Sequence, residues 1–230
     1  MKFTWLGHSG FRIEIGDQVL LLDPWITGNP MFPEGARAEA IAGATHILLT
    51  HGHFDHANDV AAIAKELDIP AVGIFDLVGY LEGKDGIKAV GFNKGGTVAL
   101  GSVKVTMVNA VHSSTMPSDG GPVSVGSEAG FVLDDGSRRV YVSGDTDVTM
   151  DMELVEALHH PEIGVLCAGG HFTMDMKRAA YAAKRFFNFK TVIPCHYKTF
   201  PLLAQSAEEL RVGLPGVEVI EPAVMSAIEL

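Results

Sequence analysis

Cysteine is nearly absent. The 230 residues hold only two, too few for the disulfide framework of a small secreted fold. Cys167 lies in the apolar run Val165 to Ala168, and Cys195 directly precedes His196. Free cysteines are usually buried, so both are expected to be apolar fillers rather than ligands. If residues 193–196 are extended, Cys195 faces away from the side His196 faces. Cations are also scarce. Lys and Arg number 17 against 28 Asp and Glu, a formal net charge of -11, and no basic run occurs. A duplex-binding surface needs clustered cations, so no nucleic-acid partner is expected. No apolar stretch approaches the ~20 residues of a membrane span. The first residues, Met1 to Trp5, lack a signal peptide's apolar core and read as a strand already. A cytoplasmic protein is therefore expected. The Gly-x-Ser-x-Gly of a serine-hydrolase elbow is missing too.

Hydrophobic residues, by contrast, make up 47% of the chain, enough for a substantial core. No repeat and no linker divides residues 1–230, so one domain is expected. Residues 2–23 read as three strands, with Phe11, Ile13 and Ile15 alternating against Arg12 and Glu14. Val103, Val105 and Met107 alternate in the same half-buried pattern. Asp134-Asp135-Gly136 sits between two apolar runs as a hairpin turn. Further on, helices near 152–158 and 176–187 alternate with strands near 163–168 and 191–194. Early meanders followed by strand–helix alternation suit two packed mixed sheets with helices outside.

The chemistry concentrates in Thr50-His51-Gly52-His53-Phe54-Asp55-His56. The apolar run Ile47-Leu48-Leu49 before it reads as a buried strand, and Asn58 to Leu67 has helical spacing. The cluster thus falls after a strand's C-terminal end, where ligands bind in open α/β sheets. Histidines two apart in extended backbone point to the same side. Asp55 and His56 follow once the chain has turned and can aim at a second point nearby. Three further positions end strands in the same way: His112, Asp145 in Ser143-Gly144-Asp145-Thr146, and His196 in Pro194-Cys195-His196-Tyr197. Histidine and aspartate are the ligands that catalytic zinc uses.

The His-x-His-x-Asp-His stretch resembles the signature of the metallo-β-lactamase fold superfamily. The later positions extend the resemblance over nearly the whole chain. It looks closest to the small metal-dependent hydrolases grouped with ascorbate-6-phosphate lactonase, and more distantly like the N-acyl-phosphatidylethanolamine phospholipase D type. The resemblance implies an αββα sandwich and two divalent metal ions, zinc first, with Mn, Fe or Ni also suited to such ligands. It implies that His51, His53 and His112 hold one ion, that Asp55, His56 and His196 hold the other, and that Asp145 bridges them. Asp55, His56 and Asp145 would then serve catalysis directly. A metal-bridging hydroxide would attack a small ester, a lactone or a phosphodiester. Two divalent cations against two aspartates and one hydroxide leave the cluster with about one positive charge, which favours an anionic substrate. A β-lactamase-like or thioesterase-like hydrolase and a non-catalytic metal-binding module are the alternatives. The oligomeric state is left open.

The family also favours Gly-His-Ser and Asp-Pro-Trp, retained here as Gly7-His8-Ser9 and Asp23-Pro24-Trp25. His8 and Asp23 are therefore expected either to orient ligands or to cap turns. His171 could reach substrate or cap the helix that follows. This chain has Gly170 where the family often has Asp, and Asp175 where it often has Gly, so a substrate contact from that loop does not carry over. His46, His159 and His160 read as surface histidines. Residues 113–127, rich in Ser, Gly and Pro, read as a structureless mobile loop that closes over the substrate.

Overall fold

A computed structural model describes all of residues 1–230. Two seven-stranded mixed sheets and one small hairpin make up its β-structure. The first sheet opens with the meander β1 (Lys2–Gly7), β2 (Gly10–Ile15) and β3 (Gln18–Leu22). It continues in parallel through β4 (His46–Leu49), β5 (Ala71–Ile74) and β6 (Ala89–Phe92). The second sheet begins with β7 (Thr97–Leu100) and β8 (Val103–Asn109). The two-stranded hairpin of β9 (Thr115–Met116) and β10 (Val123–Ser124) comes next in the chain. The second sheet then resumes with β11 (Ala129–Asp134), β12 (Arg139–Val142), β13 (Ile163–Cys167) and β14 (Thr191–Cys195). The edge strands β15 (Glu218–Val219) and β16 (Ala227–Glu229) close the second and first sheets respectively.

The helices are α1 (Arg37–Ile41), α2 (Phe54–Ala57), α3 (Val60–Leu67), α4 (Phe75–Asp85), α5 (Asp151–His159), α6 (Met176–Phe186) and α7 (Glu208–Gly213). Together they give the αββα architecture. One contiguous apolar cluster of 65 buried residues runs from Phe3 in β1 to Leu214 after α7. The period-2 pattern of β2 explains its placement. Phe11, Ile13 and Ile15 are buried, whereas Arg12 and Glu14 stay half-buried at the surface and pair with each other. The Asp134–Gly136 turn closes as expected: the Asp135 carboxylate accepts from the backbone of Ser137 and Arg138.

The helix read over 58–67 forms as α3, and a separate short helix, α2, precedes it inside the signature. Two expectations need correction. Residues 113–127 are not structureless: β9 and β10 pair there, and Met116 and Val125 are buried in the core. Their side chains crowd Gly52, where a Cβ would lie 2.6 Å from Val125 and 3.0 Å from Met116. Only Gly fits beneath this hairpin, so the segment is tied down next to the signature. His46 and His159 are half-buried rather than on the surface, and burial pushes both imidazole pKa values down. The short strands β15 and β16 went unread, since two or three residues carry no periodicity.

Candidate metal centre

Strand ends converge on one place. His8 follows β1, Asp23 follows β3, and His51 follows β4 in the first sheet. His112 follows β8, Asp145 follows β12, and His196 follows β14 in the second. Backbone hydrogen bonds stitch the two sheets together here, His196 N to His8 O at 2.9 Å and Ala129 N to Thr50 O at 3.0 Å. His8, Asp23 and His196 all have left-handed φ, at 53°, 42° and 57°. Asp and His tolerate that conformation better than most residues, yet it still costs free energy. Three such residues in one cluster mark a place where the turns are set by what their side chains must do.

The centre of the cluster is Asp145, almost fully buried. Its Oδ2 lies 3.1 Å from His196 Nε2, 3.3 Å from His56 Nε2, 3.7 Å from His112 Nε2 and 3.9 Å from His51 Nε2. One carboxylate oxygen cannot accept a good hydrogen bond from four rings at once. His56 Nε2 and Asp145 Oδ1 are buried without any hydrogen-bond partner. Buried polar atoms left unpaired are costly, and a cation between them would satisfy both. Three overlapping groups have ligand atoms within 4.8 Å of one another: His51 with His53 and His112; His51 with His56 and Asp145; and His8 with Asp55, His56 and His196. All seven residues expected as ligands are thus brought together, and the donor set of imidazole nitrogen and carboxylate oxygen fits a divalent metal.

Asp23 is a supporting group and not merely a turn cap. Its Oδ2 accepts from His56 Nδ1 at 2.8 Å and from Thr50 Oγ1 at 2.7 Å, and its Oδ1 accepts from Thr50 N at 2.8 Å. Thr50 Oγ1 in turn lies 3.0 Å from His51 Nδ1. One carboxylate therefore fixes two imidazoles and leaves each Nε2 facing the centre. Replacing Asp23 with alanine should weaken metal binding by ~10–100-fold, the usual cost of losing such a partner. A metal-buffer titration that gave wild-type affinity would show that Asp23 only shapes its turn.

His8 sits closer than an outer group need be. Its Nε2 is 2.9 Å from Asp55 Oδ2, and its Nδ1 is 2.8 Å from Thr199 Oγ1. His171 does not join the cluster. It is exposed, packs edge-on against Phe172, and leaves the capping of α6 to Asp175, which accepts from Arg178 N. The cysteines behave as expected: both are buried, and burial pushes the Cys167 thiol up to about 12. Thr50, Thr199 and Glu128, which accepts from His112 N, were not singled out from sequence. Only the adjacency of Thr50 to His51 could have pointed to any of them.

The electrostatics of the metal-free chain follow from burial and the neighbouring histidines. Burial first, then the other imidazoles, push His51, His53 and His112 down. His8 falls to about 4 for the same reasons. Lone pairs are thereby kept free at pH 7. His56 goes the other way, because Asp145 and Asp23 outweigh its burial and hold it well above the ordinary range. Burial also opposes the charge on Asp145, but His196 and His56 outweigh it and hold its pKa low. Four site histidines therefore stay neutral in the folded chain where the unfolded chain protonates near pH ~6.5. Their contribution is present above that pH and lost as pH falls; that of His56 is present below it and lost as pH rises. On balance the metal-free chain should melt at lower temperature at pH 5 than at pH 7, with about 2 kcal/mol coming from His8 alone. A melting temperature that rises over that interval would contradict these assignments.

A cleft of about 520 Å³ opens onto the cluster, lined by His53, Asp55, His112, Asp145 and His196 on its floor. Residues 18–197 match the model of the β-lactamase superfamily domain. A UPF0173 metal-dependent hydrolase of Dinoroseobacter shibae is 65% identical over the full length of both chains. The chain belongs to the β-lactamase superfamily, in its UPF0173 group of metal-dependent hydrolases. Another UPF0173 hydrolase, from Paracoccus denitrificans, is 63% identical, again over the full length of both. Among solved structures, the metallo-hydrolase Igni18 of Ignicoccus hospitalis superimposes with a TM-score of 0.84 at 29% identity, covering 100% of this chain and 98% of its own. No helix of the UPF0173 chain is long and apolar enough to cross a membrane.

Proposed function

We propose that this UPF0173 protein is a dinuclear hydrolase of a small ester, with lactones and phosphodiesters as the two leading classes. His51, His53 and His112 would hold one divalent ion, Asp55, His56 and His196 the other, and Asp145 would bridge them. The observation that carries this is the single Asp145 oxygen facing four imidazole nitrogens from three segments of chain. Two bound divalent ions, zinc or one of its Mn, Fe and Ni competitors, would supply a hydroxide near neutral pH and a Lewis acid for the ester oxygen. The chain's own residues prepare the place. Asp23 holds His56 and, through Thr50, His51; His8 holds Asp55. No serine or cysteine nucleophile is required, and Cys195 lies in the buried core with its thiol pushed up well above the ordinary range.

The test is a hydrolysis screen of metal-loaded protein on a γ-lactone, a phosphodiester, a thioester and a β-lactam, repeated after chelation. Turnover of a lactone or phosphodiester that disappears with the metal is the expected result. Turnover of the thioester or β-lactam alone would shift the reading to those hydrolases. Tight metal binding without any turnover would make the chain a metal-binding module.

A further inference from the structure

The walls of the cleft do not match its floor. Ten residues line it, and none is a lysine or arginine. Above the candidate ligands the wall is Phe54, Phe172, Phe200 and Leu202, with Ser113 as the only other polar group. These apolar residues come from three separate segments: α2, the loop after β13, and the loop after β14. Phe54, Phe172 and Leu202 are 56%, 53% and 54% exposed. Single exposed apolar residues are ordinary on a protein surface. Several that converge on one concave site are what a ligand pocket is made of.

The rings are also held in place. Phe54 and Phe200 both pack on Trp25, with ring centroids 5.6 Å and 6.1 Å away. Trp25 is buried, and its indole N–H donates to Thr27 O at 2.9 Å. Phe172 lies edge-on to His196 at 6.5 Å and to His171 at 4.5 Å. A remote phosphate or carboxylate on the substrate would leave water for this wall and find no counter-ion. The positive charge sequence reasoning assigned to the site is confined to its metal floor, where the reacting group itself would sit.

We propose that the non-reacting part of the substrate is uncharged and apolar, an aryl or alkyl group seated between Phe54, Phe172, Phe200 and Leu202. This rests on the hydrolase reading above and narrows it toward lactones or phosphodiesters that carry a hydrocarbon arm. It argues against a substrate that bears a second anionic group away from the reacting carbonyl or phosphorus.

Binding to the metal-loaded protein separates this inference from the reading beneath it. Three hydroxamates carry the same metal-seeking head: acetohydroxamate, 4-phenylbutyrohydroxamate and the monohydroxamate of succinic acid. Calorimetric titration should find the phenylbutyryl probe bound at least about tenfold more tightly than acetohydroxamate, as burial of a phenyl group predicts. The succinyl probe should bind no more tightly than acetohydroxamate. In a Phe172→Ala/Leu202→Ala variant, checked for an unchanged melting temperature, the phenylbutyryl advantage should shrink to about threefold or less. Equal affinity for the phenylbutyryl and acetyl probes would overturn the inference and leave the hydrolase reading standing. So would a preference for the succinyl probe, or a full phenylbutyryl advantage in the variant. If no hydroxamate binds the metal-loaded protein, the open metal site fails and takes the inference with it.

Discussion

Replacing Asp145 with alanine should abolish turnover and cost the protein at least one of its metals. The carboxylate is buried, and its Oδ2 is the one atom close to His51, His56, His112 and His196 together. Without it the shared ligand of both proposed ions is gone. A positive His56 would also keep only Asp23 and the more distant Asp55 as counter-charges. The loss of activity should exceed the ~10–100-fold typical of a supporting group. His8→Ala provides the comparison, since His8 contacts Asp55 rather than the centre of the cluster. Its effect should stay within that supporting range. Equal metal content and equal turnover in Asp145→Ala and wild type would refute the bridging role.

Gly169→Ala should be nearly as damaging, although Gly169 carries no side chain and touches no substrate. A Cβ at this position would lie 1.8 Å from the carbonyl oxygen of His196 and 3.4 Å from its Nδ1. The first contact is with backbone, so no rotamer change relieves it. Neighbouring bonds hold both partners: Ala168 N donates to Cys195 O at 3.0 Å, and Ala204 N donates to Gly169 O at 2.9 Å. The ends of β13 and β14 would have to separate, and His196 would move with its strand. The expected result is a stability loss of at least about 1–3 kcal/mol, the range for overpacking a tight interior. Metal at the site that includes His196 should fall with it. Calorimetric melting plus metal analysis would check both. A variant with wild-type stability and metal content would show that the strands part without disturbing His196.

Much of this architecture was legible because the site and the fold use the same signal. An apolar strand that ends in a metal-capable residue recurs at His51, His112, Asp145 and His196, and each of those strands formed where its pattern placed it. The two sheets follow from the same strands. Asp23 was legible as a candidate but not as a partner of both Thr50 and His56, because that contact joins residues 27 and 33 positions apart. The hairpin at 115–124 was hidden for a different reason. Its strands are two residues each, and what holds them is the close approach of Met116 and Val125 to Gly52, a tertiary contact with no local pattern. The same contact limits the lid expected of this segment. The hairpin flanks His53 and Phe54 along a side groove, while the main cleft takes only His112 and Ser113 from this side. The apolar wall was hidden most of all, since Phe54 opens a four-residue helix and Phe172, Phe200 and Leu202 lie in loops, where an apolar residue has no period to announce it.

The seven clustered side chains are proposed to serve two ions. Protein purified without chelator, and again after supplementation with zinc or manganese, should contain about two divalent metals per chain by elemental mass spectrometry, as a two-metal site requires. A content that never rises above one metal per chain, even after supplementation, would contradict the account.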